Sequence, residues 1–220
     1  APIERADVTA VAAGRTDAGV HAAAQVVSAV LTNPIAPVDL RRALNATLPP
    51  DVRVLAIEQA PDGFNARHDA RLKTYHYAIW NGVAVPPSLR RYTWHVPKTL
   101  DLDRMSEAAG ILVGLHDFAA FQATGSDVKT TERRLVSSAV RELDLSQLVL
   151  AAAGDRLIRY EVTGTGFLRH MVRTIMGTLV DVGLGRTPVE EVRSILLGRD
   201  RGRAGATAPP QGLVLWRVEY

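Results

Sequence analysis

The segment Gly14-Arg15-Thr16-Asp17-Ala18-Gly19-Val20-His21-Ala22 sets one carboxylate between two glycines, beside an arginine, a threonine and a histidine. A carboxylate held ionised and aimed can attack an electron-poor carbon or take a proton from a neighbouring one. The competing reading is local: an aspartate just before a glycine often closes a turn with its own side chain. The glycines suit either reading, because both permit a tight backbone path. On pattern alone the turn is the commoner outcome; against it stands the density of partners, since Arg15, Thr16 and His21 would crowd the carboxylate of Asp17 as an oriented acid requires.

Other chemistries are set aside by composition. The chain has no cysteine, so disulfides, thiolate metal sites and cysteine nucleophiles are excluded, which fits a reducing compartment without requiring one. Its 6 histidines (21, 68, 76, 95, 116 and 170) show no His-x-x-x-His spacing, so no metal is expected. A glycoside or nucleoside hydrolase would need a second acid near Asp17, for which Asp69 and Asp117 are the nearest candidates.

The elements that must position Asp17 alternate between strand and helix periods, which predicts a mixed α/β (α+β) chain. Val8 to Ala12 reads as a strand entering the loop and Gln25 to Thr32 as the strand leaving it. Leu40, Ala43, Leu44 and Thr47 line a short helix that stops before Pro49-Pro50. Val52 to Ile57 and Lys73 to Trp80 read as further strands. In the latter, Tyr75, Tyr77 and Ile79 share one face, while His76, Ala78 and Trp80 share the other. After Pro86-Pro87, Asp101 caps a helix with Leu102, Met105, Ala109, Leu112 and Val113 on its apolar side. Val136 to Leu145, Leu148 to Ala153 and Leu157 to Thr163 read as three strands. A helix follows Gly164-Thr165-Gly166, with Leu168, Met171, Val172, Ile175, Met176 and Leu179 as its buried stripe; Arg169 and Arg173 stand one turn apart on its polar side. Thr187, Pro188 and Glu190 read as a capping box for a last helix, and Leu213 to Glu219 as a closing strand. The Arg-, Gly-, Ala- and Pro-rich stretch 199–212 reads as exposed and mobile. The expected organisation is a half over 1–85 carrying the Asp17 loop and a half over 86–220 carrying the arginine helix, with a cleft between them.

Basic residues exceed acidic ones by only 26 − 23 = 3, yet they cluster at Arg67 to His76, Lys129 to Arg141, Arg169 to Arg173 and Arg199 to Arg203. Such clusters suit phosphate and nucleic-acid recognition, because a guanidinium fork binds phosphate oxygens bidentately. A solvated basic surface is the plainer alternative. No apolar run approaches the roughly 18 residues of a membrane-spanning helix. The opening Ala1-Pro2-Ile3-Glu4-Arg5 does not read as a secretory leader, and the absence of an initiator methionine suggests that residues precede it.

Gly14 to Ala22, followed by Gln25-Val26-Val27, resembles the signature of the tRNA pseudouridine synthase A (TruA) family. Four further blocks agree in order and character: Phe64-Asn65-Ala66-Arg67 through Tyr75-His76-Tyr77, His116 with Asp117-Phe118-Ala119-Ala120-Phe121, Phe167-Leu168-Arg169-His170-Met171-Val172-Arg173 with Gly177 and Val182-Gly183, and Ala206 to Val218. The strand and Asp-Gly…Gly-Trp segment that usually precede the family's catalytic loop have no counterpart here. The resemblance implies two similar halves forming a largely antiparallel central sheet flanked by helices. It implies a cofactor-free isomerisation of uridine in RNA, in which the N1–C1′ bond breaks, the uracil turns and C5 bonds to C1′. Asp17 would act at the ribose as nucleophile at C1′ or base at C2′. Arg173 would hold it, Tyr75 would stack on the uracil, Leu168 would pack on the base's other side, and Arg15 would occupy the space left by the extruded nucleotide or hold the backbone. The expected substrate is the anticodon stem-loop of tRNA, at uridines 38, 39 and 40, and the expected assembly a cytoplasmic homodimer. The alternatives are a synthase of other RNA specificity and a catalytically silent RNA-binding homologue.

Overall fold

The computed structural model describes residues 4, 7–123, 125, 128–145, 152 and 154–220. Contacts divide the chain into two compact units, residues 1–15 with 26–69 and residues 16–25 with 70–220. Along the chain the described strands are β1 (Val11–Ala12), β2 (His21–Ala22), β3 (Val27–Ser28), β4 (Leu72–Asn81), β5 (Trp94–Val96), β6 (Gly114–Asp117), β7 (Glu132–Leu143), β8 (Arg156–Gly164) and β9 (Leu213–Glu219). The helices are α1 (Pro37–Thr47), α2 (Leu102–Ile111), α3 (Met171–Gly183) and α4 (Glu191–Gly198). No helix among the described residues is long and apolar enough to cross a membrane.

In the first unit β1 pairs antiparallel with β3. Helix α1 starts on Pro37, where the missing N–H costs nothing. Its Asn45 side chain clamps Val54 through both backbone groups, at 2.8 and 2.9 Å. That clamp satisfies Val54 without a partner strand, and Val52 to Ile57, expected as a strand, runs as irregular chain. Strands expected over 8–12 and 25–32 shrink to the two-residue β1 and β3.

The second unit is built on a seven-stranded sheet in the order β2-β9-β4-β8-β7-β6, with β5 beside the end of β4. The pairs β2–β9 and β4–β5 are parallel and the rest antiparallel. Strand β4 is buried on both faces, with Tyr75, Tyr77 and Ile79 in the main core. The alternation read from the sequence therefore holds. The register of β4 against β9 slips between Thr74 and Tyr75, so Trp216 is the extra residue of a bulge. Bulges re-aim neighbouring side chains, and here the irregularity sits beside the tyrosine singled out for chemistry. The strand expected over Leu148 to Ala153 lies outside the described residues, Ala152 excepted.

Helix α2 is capped by Asp101, whose carboxylate accepts the Arg104 N–H at 3.1 Å, as expected. Helix α3 is apolar on nearly all sides because it is enclosed: Ile175, Met176 and Leu179 are fully buried. It begins at Met171 rather than Leu168, since His170 adopts a left-handed φ of 62° that helix geometry forbids. The capping box expected at Thr187 does not form. Thr187 N–H is drawn back to the Asp181 carbonyl, residues 188–190 make a turn, and α4 starts at Glu191 without a side-chain cap.

Residues 199–212, expected to be exposed and mobile, instead form a strap bound to α3 and β4. Gly205 N–H donates to Thr178 Oγ1 at 2.9 Å, Ala208 N–H to the Arg173 carbonyl at 3.1 Å, and Tyr77 Oη–H to the Pro209 carbonyl at 2.7 Å. Arg201 donates to the carbonyls of Ala204 and Gly205. Gly177 lets backbone meet backbone, for a Cβ there would lie 1.8 Å from the Ala206 carbonyl oxygen. Neither backbone can yield freely, so Gly177→Ala is expected to destabilise the fold by about 3 kcal/mol. A lowered urea midpoint with an unchanged slope is the check.

Candidate active site

Asp17 sits at the start of a four-residue turn closed by Val20 N–H on the Asp17 carbonyl at 3.0 Å. Gly19 occupies the third position at φ 81°, as a type II turn requires. The turn is closed by backbone, which leaves the Asp17 side chain for other partners. Its Oδ2 accepts from Arg173 Nη1 at 3.0 Å and meets His170 Nε2 at 3.2 Å. Among the described residues no side chain bonds its Oδ1. One carboxylate oxygen is anchored and the other is open.

Arg173 is well placed to anchor. Its side chain is 13 % exposed, and its Nε donates to the Ala208 carbonyl at 2.8 Å while Nη1 reaches Asp17. The guanidinium thus joins α3, the strap and the aspartate loop in one plane. Tyr75, 9 % exposed, sets its ring edge-on to Phe167 with centroids 4.9 Å apart. Burial, helped by the Asp17 charge, pushes its phenol up to about 12, so it is neutral near pH 7. Tyr77 is held protonated by burial as well and is tied to the strap, a supporting position. Leu168 is buried in the core cluster that includes Tyr75, and its carbonyl accepts Met171 N–H at 3.1 Å. Arg15 belongs to the first unit and is exposed.

One histidine expected near Asp17 is elsewhere. His21, fixed on β2 opposite Val214, donates from Nε2 to the Arg91 carbonyl at 2.8 Å and packs its ring on Tyr92. His170 takes the place next to the carboxylate. Sequence reasoning missed it, although it stands three residues from Arg173 in the Arg169-His170-Met171-Val172-Arg173 block. Burial lowers the His170 imidazole below its ordinary value; the Asp17 charge opposes that, and Arg173, Arg169 and Arg201 add to the lowering.

The His21 contact brings Arg90 and Arg91 to the rim of the aspartate loop. With Gly19, His21 and Gln211 they line a hollow of about 350 Å³. Both arginines are exposed, and neither pairs with a carboxylate among the described residues. Other arginines are already engaged: Arg199 with Asp117 at 3.1 Å, Arg203 with Glu191, and Arg201 with the strap. A larger hollow of about 650 Å³ lies among Arg41, Arg42 and Arg53 of the first unit and holds none of the candidate site residues.

Comparison with known proteins decides the family. A family profile described as tRNA pseudouridine synthase matches residues 2–69 and 108–220. The chain belongs to the tRNA pseudouridine synthase family. It is 43 % identical over 226 residues to the tRNA pseudouridine synthase A of Nitratidesulfovibrio vulgaris, covering 94 % of this chain and 81 % of the relative. Against the proteins of the same description in Moorella thermoacetica and Bacillus licheniformis, identity is 45 % and 41 %, each covering 97 % of this chain and 82 % of the relative. The family's mixed α/β fold fits the sheet and helices described above; Asp17, Leu168, His170 and Arg173 fall within the matched segments, and Tyr75 lies in the stretch between them.

Proposed function

We propose that this chain isomerises uridine to pseudouridine in tRNA, with Asp17 acting at the ribose. The observation that carries the reading is the half-anchored carboxylate: Oδ2 is bound by Arg173 while Oδ1 has no side-chain partner among the described residues. Attack at C1′ and proton removal at C2′ both need one free anionic oxygen. Tyr75 is the platform for the uracil and the candidate carrier of the C5 proton, with Leu168 on the base's other side. Arg15, two residues before Asp17, is the candidate for holding the RNA where the uridine is extruded, an extrusion that costs a few kcal/mol. The reaction balances without a cofactor: N1–C1′ breaks, C5–C1′ forms, C5 loses a proton and N1 gains one. The anticodon stem-loop with uridines 38, 39 and 40, the homodimer and a cytoplasmic setting belong to this reading through the family resemblance.

Tritium release from tRNA carrying 5-tritiated uridine tests it. Release by the wild type is expected, and no release sinks the reading. Arg90 and Arg91, open at the rim of the Asp17 loop, are assigned to backbone phosphates. The double variant R90A/R91A is expected to raise KM about tenfold, leave kcat nearly unchanged and flatten the dependence of KM on salt. An unchanged salt slope rules out phosphate contacts there.

A further inference from the structure

His170 departs from the rules of its own neighbourhood in two ways. It is a non-glycine residue at φ 62°, immediately before α3, in a backbone region that L side chains enter at a cost. Such strain persists where surrounding contacts hold it, and those contacts converge here. Its carbonyl accepts Thr174 N–H at 2.9 Å, the neighbouring Arg169 carbonyl accepts Ala123 N–H at 3.0 Å, and its ring nitrogen Nε2 stands 3.2 Å from Asp17 Oδ2. A residue in ordinary helical geometry at this point would begin α3 one residue earlier and send its side chain along a different direction. The left-handed turn therefore sets where the imidazole points.

Nε2 approaches Oδ2 at 3.2 Å, short of a well-aligned hydrogen bond; a carboxylate only accepts, so for that contact to close the proton must sit on Nε2. We propose that His170 is a positioning residue for the pseudouridine reaction, a donor that closes on Asp17 Oδ2 beside Arg173 and so aims Oδ1 at the ribose. The inference rests on the proposed role of Asp17 and adds a residue to it. Burial and the charges of Arg173, Arg169 and Arg201 disfavour a positive ring, and the Asp17 charge opposes them. Arg173 alone would let the carboxylate pivot about a single bond. A second donor closing on the same oxygen would remove that freedom, and orientation of a reacting group is worth orders of magnitude in rate.

The arrangement makes stability and activity separable. His170→Gly removes the donor and relieves the backbone, so its melting temperature is expected to equal or exceed that of the wild type. Its kcat should nevertheless fall at least tenfold, with KM for tRNA within about twofold. His170→Gln, whose amide nitrogen can reach the position of Nε2, should recover most of kcat. Full kcat in the glycine variant overturns the proposal, and so does a loss that appears only in KM. Ring nitrogen chemical shifts give a readout that needs no turnover. A protonated Nε2 and bare Nδ1 are expected in the resting wild type, with that preference weakened in Asp17→Ala; Nδ1–H in the wild type overturns the assignment. A wild type that releases no tritium defeats the isomerase reading, while the ring tautomer still decides this one.

Discussion

Asp17→Asn is expected to abolish tritium release, with kcat reduced at least about 10⁴-fold, while tRNA binding changes little. The substitution keeps the shape of the side chain, and an amide oxygen can still accept from Arg173. What vanishes is the anionic oxygen, which both routes at the ribose require. Stability should barely respond. The Asp17 side chain is 35 % exposed, so solvent screens its ion pair and the loss is about 1 kcal/mol or less. The contrast in size separates the two explanations for this aspartate. If it served only to bind Arg173 and shape the loop, the variant would lose stability and keep turnover. Turnover within tenfold of the wild type, confirmed with single-turnover conditions to exclude trace contamination, removes Asp17 from the chemistry.

The aspartate loop was legible because its pattern is local: glycines that permit the turn and a carboxylate between them all fall within nine residues. The face of β4 was legible for a similar reason, since period-two alternation puts Tyr75 and Tyr77 together whatever the strand pairs with. The bulge at Trp216 was not, because a slip in register depends on two strands more than a hundred residues apart in sequence. The exchange of His21 for His170 has the same origin. Nearness in sequence suggested His21, yet strand β2 commits it to the Arg91 carbonyl, and the fold returns His170 to the carboxylate from the far end of the chain. Residues 199–212 misled through composition. Glycine, alanine and proline mark a loose loop, but they also permit backbone to lie against backbone, as Gly205 does at Thr178 and Ala206 at Gly177. Only the partner helix distinguishes the two outcomes.

That strap bears directly on Arg173, for which Arg173→Lys is the informative substitution. Charge is conserved, so a role limited to electrostatic attraction predicts a mild effect. The geometry predicts a larger one. Nε is committed to the Ala208 carbonyl at 2.8 Å and Nη1 to Asp17 Oδ2 at 3.0 Å, two acceptors served at once by one rigid fork. A lysine has one nitrogen on a flexible stem and loses more side-chain freedom for each bond it makes. It can reach the aspartate or the strap, but it does not hold them in a fixed relation. The expected result is a fall in kcat of about 10²-fold to 10³-fold with the tRNA dissociation constant within about threefold, since the side chain is turned inward and 13 % exposed. A loss dominated by tRNA affinity would instead make Arg173 a phosphate contact. Methionine at the same position sharpens the test: it keeps the bulk, removes the charge and leaves the Ala208 carbonyl without its donor. If orientation of Asp17 is what Arg173 supplies, methionine should cost more turnover than lysine, and the extra cost should again appear in kcat.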